Sequence, residues 1–189
     1  VAFAAAQDEG RPVLTGVLLT IKEGNLILVA TDGYRLSFKK MIKVKEVEEF
    51  KEFKKGLIIP SRTLIEVGKI ISDTEQGKEI GLAISGSSNQ IIFVNPEAEI
   101  VSRLIEGSFP EFEKIIPEKG TTKIILDTED LIRAVKTAAI FARESANIIK
   151  FRIQNSELRI SSNAPQVGEN LVEIEAKQEG EEAKIAFNS

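Results

Sequence analysis

The chain has 189 residues, 42 % of them hydrophobic, a length that holds one large or two small domains with a buried core. It contains no histidine, no cysteine and no tryptophan. Those absences exclude Ser/His/Asp and Cys/His nucleophile arrangements, thiolate or imidazole zinc sites, haem held by His or Cys, and any disulfide framework. The formal net charge of −4 argues against a protein that is basic all over, yet leaves room for a local strip of Lys and Arg that binds phosphates.

At the amino terminus an Ala-rich stretch, Ala2 to Ala6, is followed by a polar break and then by period-two alternation. Strands are expected at Val13 to Ile21 and Leu26 to Thr31, joined at Glu23-Gly24-Asn25. Asp32-Gly33, a favoured two-residue hairpin loop, leads into a third strand in which Tyr34, Leu36 and Phe38 alternate with Arg35, Ser37 and Lys39. Glu46, Glu48, Glu49 and Glu52 read as a solvated run. A strand at Gly56 to Ile59 and then Pro60 precede a helix over Ser61 to Asp73. Its inward face is Leu64, Ile65, Val67, Gly68 and Ile71, leaving Arg62, Glu66 and Lys69 opposite. Strands at Glu79 to Ser85, Gln90 to Asn95 and Glu99 to Leu104 end in a loop carrying Phe109, Pro110, Phe112, Ile115 and Ile116. That loop reads either as a covered core edge or as one wall of a peptide groove.

A strand at Thr122 to Leu126 comes next, and then a helix over Asp127 to Glu144. Asp127, Glu129 and Asp130 suit its start, as cap and against the helix dipole. Its apolar stripe is Leu131, Ile132, Val135, Ala138, Ala139 and Ala142. The other face holds Arg133, Lys136, Thr137 and Arg143, with Ile140 out of place among them. The last strands are Ile148 to Ile153, Glu157 to Ser162, Gly168 to Ala176 and Ala183 to Phe187. Shifting the sequence by 132 lays Ile21 to Leu28 over Ile153 to Ile160, each a strand, polar turn and strand, with an Ala segment upstream of both. A helix, hairpin and meander unit therefore occurs more than once.

Five aspartates are scattered, and only Asp127 and Asp130 are close, so no carboxylate group for Mg²⁺ or a metal pair is visible. Nor is any pair of acids positioned as a glycosidase requires. No catalytic residue, metal or cofactor is expected. No run approaches the roughly eighteen apolar residues of a membrane span, and Val1 to Ala6 lacks the basic start of a signal peptide, so a cytoplasmic location is expected. The basic helix faces suit phosphates without base readout, and no aromatic residues are interleaved for stacking. A β-rich protein-interaction module, with those faces as ordinary surface, is the alternative.

Four segments, Arg11-Pro12-Val13-Leu14-Thr15-Gly16-Val17, Ala30-Thr31-Asp32-Gly33-Tyr34-Arg35-Leu36, Ile59-Pro60 and Ser102-Arg103-Leu104-Ile105-Glu106-Gly107 with Phe109-Pro110, together resemble the bacterial DNA polymerase III beta subunit, the sliding clamp. The resemblance implies an α+β fold with antiparallel sheets outside and helices lining a hole around duplex DNA. It implies residues 1–117 as a middle domain lacking its first strand and most of its first helix, and 118–189 as the first half of a third domain. It further implies a processivity factor, not an enzyme, that closes as a homodimeric ring. Its partners would be duplex DNA, bound without sequence preference, and the replicative polymerase, clamp loader and repair proteins, held through a short peptide motif. By position, Leu14, Thr31, Gly33, Tyr34, Leu36, Pro110, Lys114 and Ile115 would line the peptide groove. Arg11, Arg62, Lys69, Arg133, Lys136 and Arg143 would face DNA, and Ile140 and Phe141 would meet the other subunit. Tyr34 and Lys114 stand where the best-known members carry histidine and arginine.

Overall fold

The computed structural model describes residues 1–41, 56–73, 80–85, 89–166 and 168–188. The glutamate run from Glu46 to Glu52, and the first residue of the strand expected from Glu79, lie outside them. The chain divides into two compact units, Val1–Glu111 and Phe112–Ser189. The sequence reading put a border after Pro117. Phe112 is buried, in the short 3₁₀ turn Phe112–Lys114 that opens the second unit.

In the first unit, 3₁₀ turns at Ala2–Ala4 and Pro12–Thr15 precede β1 (Gly16–Lys22), β2 (Asn25–Thr31), β3 (Leu36–Met41) and β4 (Leu57–Pro60). Helix α1 (Ser61–Asp73) and β5 (Gly81–Ser85), β6 (Gln90–Val94) and β7 (Glu99–Arg103) follow. β1 thus starts later than the strand expected from Val13. Pro12 stands at the first position of the 3₁₀ turn, where its fixed φ and missing N–H suit a helical start rather than a ladder. The sheet orders are β3-β2-β1-β4 and β5-β6-β7, every pair antiparallel.

The core of this unit joins Leu19, Leu26, Leu57 and Ile59 from the first sheet, Val67 from α1, and Ile91, Phe93 and Leu104 from the second sheet and its exit. Each such side chain contributes about 1.5–3 kcal/mol on burial. Val17 and Ala30 pack instead on Ala4 and Ala5, whose small side chains let the turn lie close to the sheet. The inward face of α1 is narrower than the sequence suggests. Leu64 and Val67 pack inward, whereas Gly68 is exposed and Ile65 and Ile71 remain 45 % and 37 % exposed.

The second unit contains β8 (Thr122–Ile125), α2 (Thr128–Ala142), β9 (Ile148–Gln154), β10 (Glu157–Ala164), β11 (Gly168–Glu175), β12 (Lys177–Gly180) and β13 (Ala183–Asn188). Its main sheet runs β11-β10-β9-β13, and β12 pairs with β8. Asp127 caps α2, its Oδ1 accepting from the N–H groups of Glu129 and Asp130 at 2.8 and 3.1 Å. Ala134, Ala138 and Ala142, spaced by four, are buried against Ile149, Leu158, Ile160 and Ile174. Ile132, placed in the stripe from the sequence, is 47 % exposed, while Ala134 takes the inward position. The buried Ser162 hydroxyl donates to the Ala138 carbonyl at 2.8 Å and ties helix to sheet.

The repeat read from the sequence has a structural counterpart. β1 and β9 are seven residues each and begin 132 apart, as do β2 and β10. Both hairpins turn on two residues with positive φ, Glu23 and Gly24 at 52° and 72°, Asn155 and Ser156 at 54° and 61°, the type I′ geometry that matches strand twist. The sheet orders correspond strand for strand. The units differ at the fourth strand. Leu57 and Ile59 of β4 are buried, whereas Ile185 and Phe187 of β13 are about half exposed, with Phe187 edge-on to Phe151 at 5.1 Å.

Candidate functional site

The loop between β2 and β3 is built by two side chains. Thr31 pairs with Leu36 at the end of the ladder, so four residues, Asp32–Arg35, form the connection instead of the two expected. Thr31 Oγ1 donates to the Arg35 carbonyl at 2.7 Å and accepts from the Gly33 N–H at 3.0 Å. Asp32 Oδ1 accepts from the N–H groups of Tyr34 and Arg35 at 2.9 and 3.0 Å, and its Oδ2 takes the Arg35 Nε–H at 3.0 Å. Burial works to raise the Asp32 pKa, but the backbone N–H groups of Arg35 and Tyr34 and the Arg35 guanidinium outweigh it and hold the carboxyl below its ordinary value. Tyr34 is therefore a loop residue, not the start of β3, and is 95 % exposed.

Strand parity shows what lies beside this loop. Thr31 and Leu36 share a sheet face with Ile27 and Val29 of β2, Leu18 and Thr20 of β1, and Phe38 of β3. Thr20, Leu18, Ile27, Val29 and Thr31 are buried, Leu36 is half-buried and Phe38 is 43 % exposed. Sequence reasoning missed Ile27, Val29 and Phe38 here, although stepping by two from Thr31 and Leu36 finds them, and it missed Leu18, which the register sets opposite Val29. Leu14, also buried, sits in the 3₁₀ turn that feeds β1. Pro110 is exposed near the end of the first unit, and Lys114 and Ile115 are exposed at the start of the second, Ile115 at 62 %.

Arg11, expected to face DNA, lies against the β2–β3 loop. A Cβ added to Gly33 would stand 3.1 Å from Arg11 Nη1, and Gly33 has φ +94°, so glycine leaves room for the guanidinium. Gln7 and Glu9 instead share a hollow of about 650 Å³ with Phe3, Ser61, Arg62 and Ile65.

On α1, Arg62 and Lys69 are two turns apart on one exposed face, and Lys69 Nζ lies 2.8 Å from Glu66 Oε1. On α2, Arg133, Lys136, Ile140 and Arg143 recur at three- and four-residue steps. Lys136 is exposed, Arg143 is the C-cap, and Arg133 lies 3.4 Å from Asp130. Two of these five cations, Lys69 and Arg133, thus carry a surface acid, while Arg62, Lys136 and Arg143 have no ion-pair partner among the described residues. Ile140 is 64 % exposed between the α2 cations, and Phe141 beside it is half-buried. Among the described residues no three acids are grouped to hold a metal ion, and no helix is long and apolar enough to cross a membrane.

Comparison with known proteins matches each unit to one domain. Residues 1–111 match the family model of the DNA polymerase III beta subunit, central domain, and residues 113–189 that of its C-terminal domain. The chain is 37 % identical over 189 residues to a beta sliding clamp of Staphylococcus aureus and 36 % identical to that of Staphylococcus epidermidis, covering 99 % of the chain and 48 % of each relative. It therefore spans about half the length of these relatives. Among solved structures, the sliding clamp of Bacillus subtilis is 31 % identical with a TM-score of 0.86. The beta chain of Streptococcus pneumoniae is 30 % identical, also at 0.86. These alignments cover 99 % and 100 % of the chain and 48 % of each structure.

Proposed function

The chain belongs to the DNA polymerase III beta-subunit family, and from that premise we propose that it is part of a sliding clamp, a non-enzymatic factor that encircles duplex DNA and tethers a polymerase. The observation that carries this reading is that the central and C-terminal family models match consecutively along one chain, each on its own compact unit. Holding DNA by topology needs no nucleophile or proton shuttle, in keeping with a sequence that lacks His and Cys.

In this reading Arg62, Lys69, Arg133, Lys136 and Arg143 on the two helices oppose phosphates and read no bases, so attraction falls as salt rises. Arg11 belongs with the peptide site, where it meets Gly33. Thr31, Gly33, Tyr34 and Leu36, with Leu14, form the part of the groove that this chain contributes from its first unit. Pro110, near the end of the same unit, is assigned to that groove by position, while Lys114 and Ile115 are exposed at the start of the second unit. Apolar anchors of a partner peptide would supply most of the affinity there. Such peptides would come from the replicative polymerase, the clamp loader and repair proteins. Ile140 and Phe141 would bury against a second subunit when the ring closes, which accounts for an apolar residue on a cationic face. A cytoplasmic location follows from the same role.

The test is a chimaera in which this chain replaces the matching half of the Staphylococcus aureus clamp, assayed for polymerase processivity on primed DNA. Long products, lost on Lys136→Glu with Arg143→Glu, are expected. A chimaera that forms the ring in sedimentation yet gives no stimulation would contradict the reading and favour an interaction module without a DNA role.

A further inference from the structure

The main sheet of the second unit has two unlike faces. One packs under α2. On the other, register places Arg159 of β10, Arg152 of β9 and Lys184 of β13 side by side, and Lys150 lies two residues from Arg152 on the same face. Neighbouring strands are about 4.8 Å apart and alternate residues of a strand about 6.8 Å apart, so four cations occupy a patch two to three strands wide. Arg159 is matched by Glu173 at 2.9 Å and Glu157 at 3.5 Å. Lys150, Arg152 and Lys184 are exposed and have no ion-pair partner among the described residues. A shallow recess of about 350 Å³ is lined by Arg152, Ile153, Glu182, Ala183 and Lys184.

This face is not one the repeat demands. Positions 132 residues earlier than Lys150, Arg152 and Arg159 are Leu18, Thr20 and Ile27, all buried. The same scaffold thus covers the face in one unit and exposes a cluster of like charges in the other, a cost that a folding role does not explain. The charge is also polarised. Glu169, Glu173 and Glu175 of β11 stand on the same face at the opposite side of the sheet.

We propose that the β9–β13 face is a docking surface for an acidic segment of a protein partner, extended along β9 with carboxylates on alternate residues. Alternate carboxylates repeat at the spacing of Lys150 and Arg152, and Lys184 supplies a third contact on the neighbouring strand. The acidic β11 side disfavours a nucleic acid backbone, which would carry its charge across the whole face, and keeps the segment on the basic half. The helix faces proposed for DNA are not involved.

A peptide of alternating Glu and Ser, titrated at low salt into the ¹⁵N-labelled chain, tests this. Saturable shifts are expected at the amides of Lys150, Arg152 and Lys184, fading as salt is added. Arg152→Glu with Lys184→Glu should weaken peptide binding at least about tenfold while leaving binding of a labelled duplex within about twofold. Lys184→Gln alone, on the edge strand, should weaken it by a smaller factor with little risk to folding. Absence of saturable shifts on β9 and β13, or a charge-reversed chain that keeps the peptide and loses the duplex, would overturn the proposal, the second outcome marking a phosphate surface. The wild-type shift map decides even where a variant fails to fold.

Discussion

Asp32 shows how one side chain sets a site. Its carboxylate gathers two backbone N–H groups and the Arg35 side chain, and so converts an Asp-Gly turn into a wider loop. Its pKa is lower in the folded chain than in the unfolded one. The stability it contributes is therefore present above the unfolded value, near 3.8, and is lost as pH falls through the lower folded value. Unfolding of wild type and Asp32→Asn followed across that range should give curves that differ at neutral pH and converge in acid. A constant difference would mean that the carboxylate charge is not what holds the loop. Gly16 is a second decisive residue. A Cβ there would stand 2.4 Å from Ile58 Cγ2 and 2.9 Å from Ile105 Cδ1. Gly16→Ala should cost about 1–3 kcal/mol in denaturant unfolding, as overpacked cores do, and a neutral result would show that β1 and β4 can separate at that point. That Thr31 and Leu36 share a face was legible by counting in twos, but their pairing was not, because a two-residue Asp32-Gly33 turn sets Tyr34 opposite Thr31. Nor was the neighbourhood of Arg11, because a polar loop before Pro12 carries no periodicity to say where its side chains go.

Among the elements, those with a strong period are the ones the sequence reveals. β2, β6, β9 and β10 alternate or run apolar, and their positions follow from that. β12 escaped because Lys177–Gly180 has no apolar residue, and it exists as the partner of β8, with Lys123 Nζ 3.1 Å from Glu179 Oε2. The start of α2 was legible because Asp127 is both a cap and an acid at the positive end of the dipole. Asp127→Ala should cost about 1 kcal/mol of second-unit stability, read by thermal unfolding. Asp127→Asn, which keeps the acceptor, should recover most of it. Equal losses in the two variants would place the effect in the charge instead of the cap. Which α2 residue lies deepest was not legible, since Ala134 and Ile132 look reversed in hydrophobicity. The helix turns Ala134, Ala138 and Ala142 toward the sheet, where they pack on Ile149, Leu158, Ile160 and Ile174.

At the scale of the molecule, one hairpin-and-meander scaffold appears in both units, and its two sheet faces are used differently. In the first unit the face beside the β2–β3 loop is apolar and leads to Thr31, Leu36 and Leu14. In the second the corresponding face is cationic on β9 and β13 and acidic on β11. The acidic total of −4 is thus compatible with basic helix faces and one basic half of a sheet face, because acids occupy other positions, such as the β11 side of that same face. The central claim is that the Thr31–Leu36 region holds partner peptides of a sliding clamp. The most direct measurement is a titration of the ¹⁵N-labelled chain with a peptide carrying the clamp-binding motif of a replicative polymerase. Weak but saturable shifts centred on Thr31, Gly33, Tyr34 and Leu36, abolished by Leu36→Ala with the fold intact, are the expected result. Shifts scattered over the chain, or centred on β9 and β13, or unchanged by Leu36→Ala, would contradict it.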